Sequence, residues 1–229
     1  MTSVAPEIEQ WEDAYLRFET PEQEIRKFTR RLHALGADGW PRGTRMLELF
    51  CGRGNGMVAL ERLGFTALHG VDLSPRLVRL YRGRGRCAAG DCRALPIRSA
   101  SHDVAIVQGG LHHLPDVVVD LPVVIGEVQR VLKPGGRFVV VEPWLTPFLR
   151  AVHAVCASPA RHAWTRLDAL ATMIEYEGDT YQRWLRSGAF ILSRLSAAFE
   201  PEIRREQWGK LLFIGRNRGA SAGSHEVLS

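Results

Sequence analysis

The sequence predicts an α/β fold: a doubly wound, mostly parallel Rossmann-like sheet with a C-terminal antiparallel hairpin strand and a helical lid insertion. Three observations carry this expectation. Short apolar, strand-like runs alternate with helical spacing from 44 to 142. A loop with glycine at 52, 54 and 56 follows the first of those runs. Two further strand-like runs, separated by Gly209, stand near the end of the chain. Alternating strands and helices call for parallel strands joined by right-handed crossovers.

The elements follow in order. Thr20-Pro21-Glu22-Gln23 reads as a capping box with proline at the first helical position. Ile25, Phe28, Leu32 and Leu35 continue it at helical spacing until Gly36 stops it. Next come strand 44–50, helix 55–63 closed by Gly64, strand 65–71 and a helix from Ser74-Pro75. A short strand 86–90, strand 103–108, a long helix near 117–131 and strand 137–142 complete the alternation. "EIRREQW" and "KLLFIGR" then form an antiparallel hairpin closing one sheet edge. The stretch from Pro143 to Gly178 is too long for an ordinary strand-to-helix loop. It carries Trp144, Phe148, His153, His162, Trp164 and Tyr176 at helical spacing, as a lid would.

Composition bounds the function. The chain has 229 residues, of which 45% are hydrophobic, enough for one large domain with a sizeable core. Its net charge of +5 is unevenly spread. Residues 1–25 are acidic, whereas 76–98 hold seven arginines against Asp91. The only lysines are Lys27, Lys133 and Lys210, and an arginine bias beside abundant alanine and glycine reflects GC-rich coding rather than a phosphate-binding surface. Cys51, Cys87, Cys92 and Cys156 form no C-x-x-C pair, and no metal site is expected. No apolar run has the length of a membrane span, and the first residues show no basic leader, so a cytoplasmic protein is expected.

The glycine loop, "LELFCGRGNG", leaves a strand and opens a helix. There the free backbone N–H groups and the positive helix end face a ligand, and glycine removes the side chains that would block its approach. Asp72 ends the second strand, where a carboxylate can accept two hydrogen bonds from ribose hydroxyls. The pair specifies a nucleoside-containing cofactor without separating a dinucleotide from a sulfonium nucleoside.

"GDCRALP", "VLKPGGRF" and the terminal hairpin do separate them, because a dinucleotide fold needs a second mononucleotide-binding half. At these residues the chain resembles the class I S-adenosylmethionine-dependent methyltransferases, in the branch that includes the ubiquinone and menaquinone biosynthesis methyltransferases. The resemblance spans roughly 44–142 and returns at 202–216. One methyltransferase domain is expected, with an N-terminal helical segment 1–43, a cofactor-binding core 44–142, a lid 143–178 where the chain leaves the family pattern, a final helix and hairpin 179–218 and a flexible tail 219–229. The resemblance implies S-adenosylmethionine as cofactor, with Glu48, Phe50, Cys51, Gly52 and Gly54 beside its methionine part. Asp72, followed by Leu73, would take the ribose, and Asp91 with Cys92 the adenine. Gln108 and Gly109 in "IVQGGLHHL" would meet the cofactor amino group. One departure stands out: Phe50 occupies the place of the family's first loop glycine, where a Cβ strains any positive φ. The expectation is that its ring turns into the core and leaves the loop intact.

His112 and His113, just past the fourth strand, are the candidate bases, with His113 ahead, and Glu142 is the candidate to orient one of them. Tyr15, Trp144, Tyr176 and Tyr181 are the candidate acceptor-site residues, Tyr15 sharing one helical face with Trp11 and Phe18. A small-molecule acceptor is expected, a hydroxyl of a secondary metabolite, sugar or quinone-like compound. Nucleic acid is not the expected partner, no membrane span is foreseen, and a homodimer stays open. Two alternatives remain: a tRNA or RNA methyltransferase using the arginines of "RLVRLYRGRGR", and a cofactor-binding protein without catalysis, for which Phe50 speaks.

Overall fold

The computed structural model describes residues 20–158 and 178–219. Helix α1 (Pro21–Ala34) begins at the capping box: Thr20 accepts from the Gln23 N–H, and the Gln23 side chain reaches back to the Thr20 N–H. Strand β1 (Met46–Leu49) leads into α2 (Asn55–Arg62), β2 (Leu68–Asp72) and the one-turn α3 (Pro75–Val78). Strands β3 (Arg86–Ala89) and β4 (His102–Gln108) follow, then α4 (Val117–Val131), β5 (Leu132–Pro143) and α5 (Pro147–Cys156). Helical residues 178–186 form α6, ahead of α7 (Gly188–Ala198), β6 (Phe199–Gln207) and β7 (Lys210–Asn217).

The seven strands lie in the order β3-β2-β1-β4-β5-β7-β6. The first five pair in parallel, and β7 runs antiparallel to both β5 and β6. The mostly parallel sheet with a terminal hairpin is therefore as expected. The hairpin turns at Trp208 and Gly209, both at positive φ, the conformation that a two-residue turn needs to match strand twist.

The sheet buries both faces, which is why its strands read as continuous apolar runs. Along β4, Ala105 and Val107 face α4 and α7, packing with Leu121, Val124, Ile191 and Leu195. Val104 and Ile106 face the other way, against Phe28 and Leu32 of α1 and Met57 and Leu60 of α2. This is the period-two alternation of an extended chain.

Most boundaries agree with the sequence, and α4 coincides with the expected helix 117–131. Two strands differ. β2 starts at Leu68 instead of 65, because Phe65 is used as a buried plug in the α1 layer. β5 starts at Leu132 instead of 137, its register slipping between His102 and Val104 of the neighbouring strand to absorb the Lys133–Gly136 turn residues. Of the expected lid, α5 is described, whereas His162, Trp164 and Tyr176 lie outside the described residues, as do Trp11, Tyr15 and Phe18.

Candidate active site

In an open α/β sheet, ligands bind beyond the carboxyl ends of the strands, where the strand order reverses. Here that point lies between β1 and β4. An open cleft of about 410 Å³, lined among others by Trp40, Thr44, Asp103, Lys133 and Arg137, lies at the amino ends of β1, β4 and β5 and so on the wrong edge for this chemistry.

On the correct edge, β1 delivers Glu48 and β4 delivers Gln108. Glu48 is 3% exposed, and burial pushes its carboxyl up to about 8. Met57 donates a backbone hydrogen bond to it from the first turn of α2. Glu48 Oε2 and both polar atoms of the neighbouring Gln108 side chain are buried, and the Gln108 amide beside the Glu48 carboxyl opposes the rise that burial causes. A buried polar pair at the switch point offers hydrogen-bonding atoms to a polar ligand group. A carboxyl group beside a side-chain amide offers oxygen acceptors to an ammonium. The glycines obey the same geometry: a Cβ at Gly56 would overlap the Glu48 carboxylate, and one at Gly54 would overlap the Tyr81 ring. These two glycines make room for the Tyr81 ring and the Glu48 carboxyl, which brings Glu48 and Gln108 together at the switch point, where they fit the amino-acid end of a sulfonium nucleoside.

Phe50 takes φ 54°, the left-handed region that costs a non-glycine residue about 1 kcal/mol or more. Its ring turns against the α4-side core and lies on the Cα of Gly110, where any Cβ would overlap it. The loop stays intact around it. Cys51 donates its backbone N–H to Val71 O, and Gly52 donates to Asp72 Oδ2 at 2.7 Å. Asp72 Oδ1 accepts from the Ser74 N–H, so this carboxylate ties the glycine loop to the β2 end, a bond with no sequence signal. Leu73 beside it is 63% exposed.

Asp91 is not solitary. Arg93 forks onto both its oxygens, at 3.0 and 2.7 Å, and reaches Asp120 Oδ1 at 3.0 Å. The Arg93 guanidinium holds the Asp91 carboxyl below its ordinary value. Burial pushes the adjacent Cys92 thiol up to about 12, leaving it a neutral wall.

The fourth strand and the fifth bring the remaining candidates together. Glu142, 1% exposed, accepts from the backbone N–H groups of Gly110 and Leu111 through Oε1, both at 2.8 Å. Its Oε2 lies 2.7 Å from His112 Nδ1. His113 stacks on His112 with ring centroids 4.0 Å apart. Burial and the His112 ring hold His113 neutral, well below the ordinary histidine value. The sequence favoured His113, but the residue that Glu142 orients is His112. Gly109, at φ 82°, donates to Val141 O and starts the turn.

Tyr181 from α6 stands edge-on to His112 and lies 3.1 Å from His153 Nε2. Trp144, by contrast, is a core residue: 6% exposed, edge-on to Trp184, with its Nε1 donating to Glu206. β5 extends to Pro143 and sets Trp144 against the start of α7, its ring beside Gly188. Tyr15 and Tyr176 lie outside the described residues. The sequence reading missed Glu24 of α1, which accepts from Arg53 and Asn55 of the glycine loop, and Tyr81, whose ring packs over Gly54. No cluster of metal-ligating side chains occurs among the described residues.

A seven-stranded sheet in this order, five strands parallel and closed by an antiparallel hairpin, is a doubly wound Rossmann-like fold with its glycine loop and a buried acid at the switch point. Residues 47–140 match the methyltransferase domain family. A demethylmenaquinone methyltransferase of Staphylococcus aureus is 33% identical over 114 residues, covering 45% of this chain and 45% of the relative. The chain thus matches less than half the length of these curated relatives. Among solved structures, a protein of Pyrococcus horikoshii superposes with a TM-score of 0.64 at 21% identity, covering 85% of this chain and 92% of the other. A putative S-adenosyl-L-methionine-dependent methyltransferase of Methanococcus maripaludis gives 0.61 at 14% identity, covering 93% of each. These two share the fold. No described helix is long and apolar enough to cross a membrane.

Proposed function

We propose that this chain transfers the methyl group of S-adenosylmethionine to a hydroxyl of a small-molecule acceptor, with His112 as general base. The observation that carries this reading is the Glu142 contact at His112 Nδ1. A carboxylate there favours the tautomer with the proton on Nδ1, which leaves Nε2 able to accept one.

When bound, the cofactor supplies an electrophilic methyl on a sulfonium, so the protein has little covalent work to do. Glu48 and Gln108 would hold the amino group, Asp72 the ribose and Asp91 the adenine amino group alongside Arg93. Binding both partners at one sheet edge contributes alignment of the acceptor oxygen with the methyl. In this reading His112 Nε2 would take the acceptor hydroxyl's proton, and Glu142 would stabilise the resulting imidazolium. Tyr181 stands beside that ring and suits the acceptor-side wall.

The acceptor class is a secondary metabolite, sugar or quinone-like compound, and the name of the Staphylococcus aureus relative favours a quinone-like ring. Placement favours a small molecule over RNA. The arginines at 79, 82, 84 and 86 line the β3 edge, four strand spacings, or roughly 19 Å, from β5 and its Glu142.

The test is calorimetric and then kinetic. S-adenosylhomocysteine should bind the chain, and Asp72→Ala should weaken binding by about 1–3 kcal/mol. With an acceptor found by labelled-methyl screening, His112→Gln should lower turnover by roughly 10²–10⁴-fold at kept cofactor affinity. Near-normal turnover in that variant would remove His112 from the chemistry, and absence of cofactor binding would remove the whole reading.

A further inference from the structure

We infer that Glu24, on the helix preceding the matched domain, is a positioning residue for the cofactor loop. This inference rests on the reading of that loop as the S-adenosylmethionine site. Glu24 is 4% exposed and Arg53 7% exposed, an ion pair buried in an otherwise apolar seam between α1 and α2. One oxygen, Glu24 Oε2, accepts from Arg53 Nε at 3.3 Å, Arg53 Nη2 at 3.1 Å and Asn55 Nδ2 at 2.6 Å. All three donors come from the glycine loop and the first residue of α2.

The loop needs an outside anchor. Arg53 sits between Gly52 at φ 52° and Gly54 at φ 77°, so the two joints beside it are glycines with no conformational preference of their own. Gly54 is the N-cap of α2 and makes no side-chain capping bond. Backbone bonds close the Cys51–Gly54 turn, and Asp72 ties Gly52 to the β2 end, but neither contact reaches the Arg53 side chain or the start of α2. Nor is the ion pair needed to attach α1, since Ile25, Phe28 and Leu32 already pack on Met57 and Leu60. Burying two charges is costly in desolvation and rarely stabilises more than a well-packed apolar pair would. What the pair does supply is direction: the fork of Arg53 and the amide of Asn55 are fixed relative to one carboxylate oxygen. Cofactor binding requires backbone N–H groups already aimed at the ligand, and a loop that must be ordered on binding binds more weakly. Glu24 thus makes α1 a part of the cofactor site, although it lies outside the family's matched residues.

The experiment uses the full chain and S-adenosylhomocysteine as probe. Glu24→Gln keeps the shape and removes the charge. It should weaken binding at least tenfold and speed hydrogen exchange at the amides of residues 52–56, with exchange in β4 and β5 unchanged. A second variant, Glu24→Leu with Arg53→Met, restores an apolar seam. It should unfold at or above the wild-type temperature yet still bind weakly, an outcome that a purely structural role does not produce. Wild-type affinity in Glu24→Gln, or affinity recovered in the apolar double variant, would overturn the inference while leaving the cofactor reading in place. Failure of the unaltered chain to bind overturns the cofactor reading, and this inference with it.

Discussion

The carboxylate of Glu142 joins two parts of the site: one oxygen takes the backbone N–H groups of Gly110 and Leu111, and the other meets His112 Nδ1 at 2.7 Å. A single buried side chain thereby fixes both the turn after β4 and the imidazole carried on it. Glu142→Gln keeps the shape but brings an amide N–H against a ring nitrogen or reverses the tautomer. Turnover should fall by roughly 10–10³-fold, with the acid limb of the pH–rate profile displaced and cofactor affinity kept. An unshifted profile with a normal rate would limit Glu142 to holding the turn.

Phe50 and Gly110 form a size-matched pair, since the Phe50 ring fills the space where a residue-110 side chain would begin. Gly110→Ala should therefore destabilise the chain by about 1–3 kcal/mol through overpacking. Truncating the ring removes the obstacle, so Phe50→Ala with Gly110→Ala should show a favourable coupling of at least about 1 kcal/mol in a double-mutant cycle. Urea denaturation of the four proteins measures it. Strict additivity would mean the ring moves aside freely.

Glu48 predicts an alkaline loss of stability. Its folded-state value of about 8 lies above the ordinary 4.5, so the folded chain keeps a proton that the unfolded chain gives up. This contribution is fully present below 4.5, falls as pH rises between 4.5 and 8 and is gone above 8, a change of about 5 kcal/mol in all. Glu48→Gln should flatten the stability curve in that window. Parallel curves for the two proteins would show that Glu48 is already ionised near neutrality.

His102 works on the acid side. It is 2% exposed, and its ring Nε2 lies 2.9 Å from His69 Nδ1 and its Nδ1 2.9 Å from Ser101 Oγ. Burial, with the His69, Arg45 and Lys133 charges nearby and only Asp103 opposing, lowers its value from 6.5 to about 4. The unfolded chain takes up the proton first, so stability falls as pH drops from about 6.5 towards 4. Replacing His102 by Gln should shallow that acid limb in thermal melts between pH 4 and 7. The same slope in both proteins would count against it.

The sequence by itself determined the strand and helix alternation, the helix at 117–131, the hairpin and the glycine loop. These rest on periodicity and on caps, interactions among residues a few positions apart, where chain connectivity brings partners together without help from the fold. It also named Glu142 and both histidines as candidates for the site. The tertiary structure alone decided who meets whom. Glu142 and His112 are 30 residues apart and touch because β4 and β5 are sheet neighbours. Glu24 reaches Arg53 across 29 residues because α1 packs on α2. Trp144 went to the core and Phe50 into a left-handed conformation for the same reason: space and hydrogen-bond partners at those positions are set by elements distant in the chain, and no local pattern records the register in which a sheet assembles.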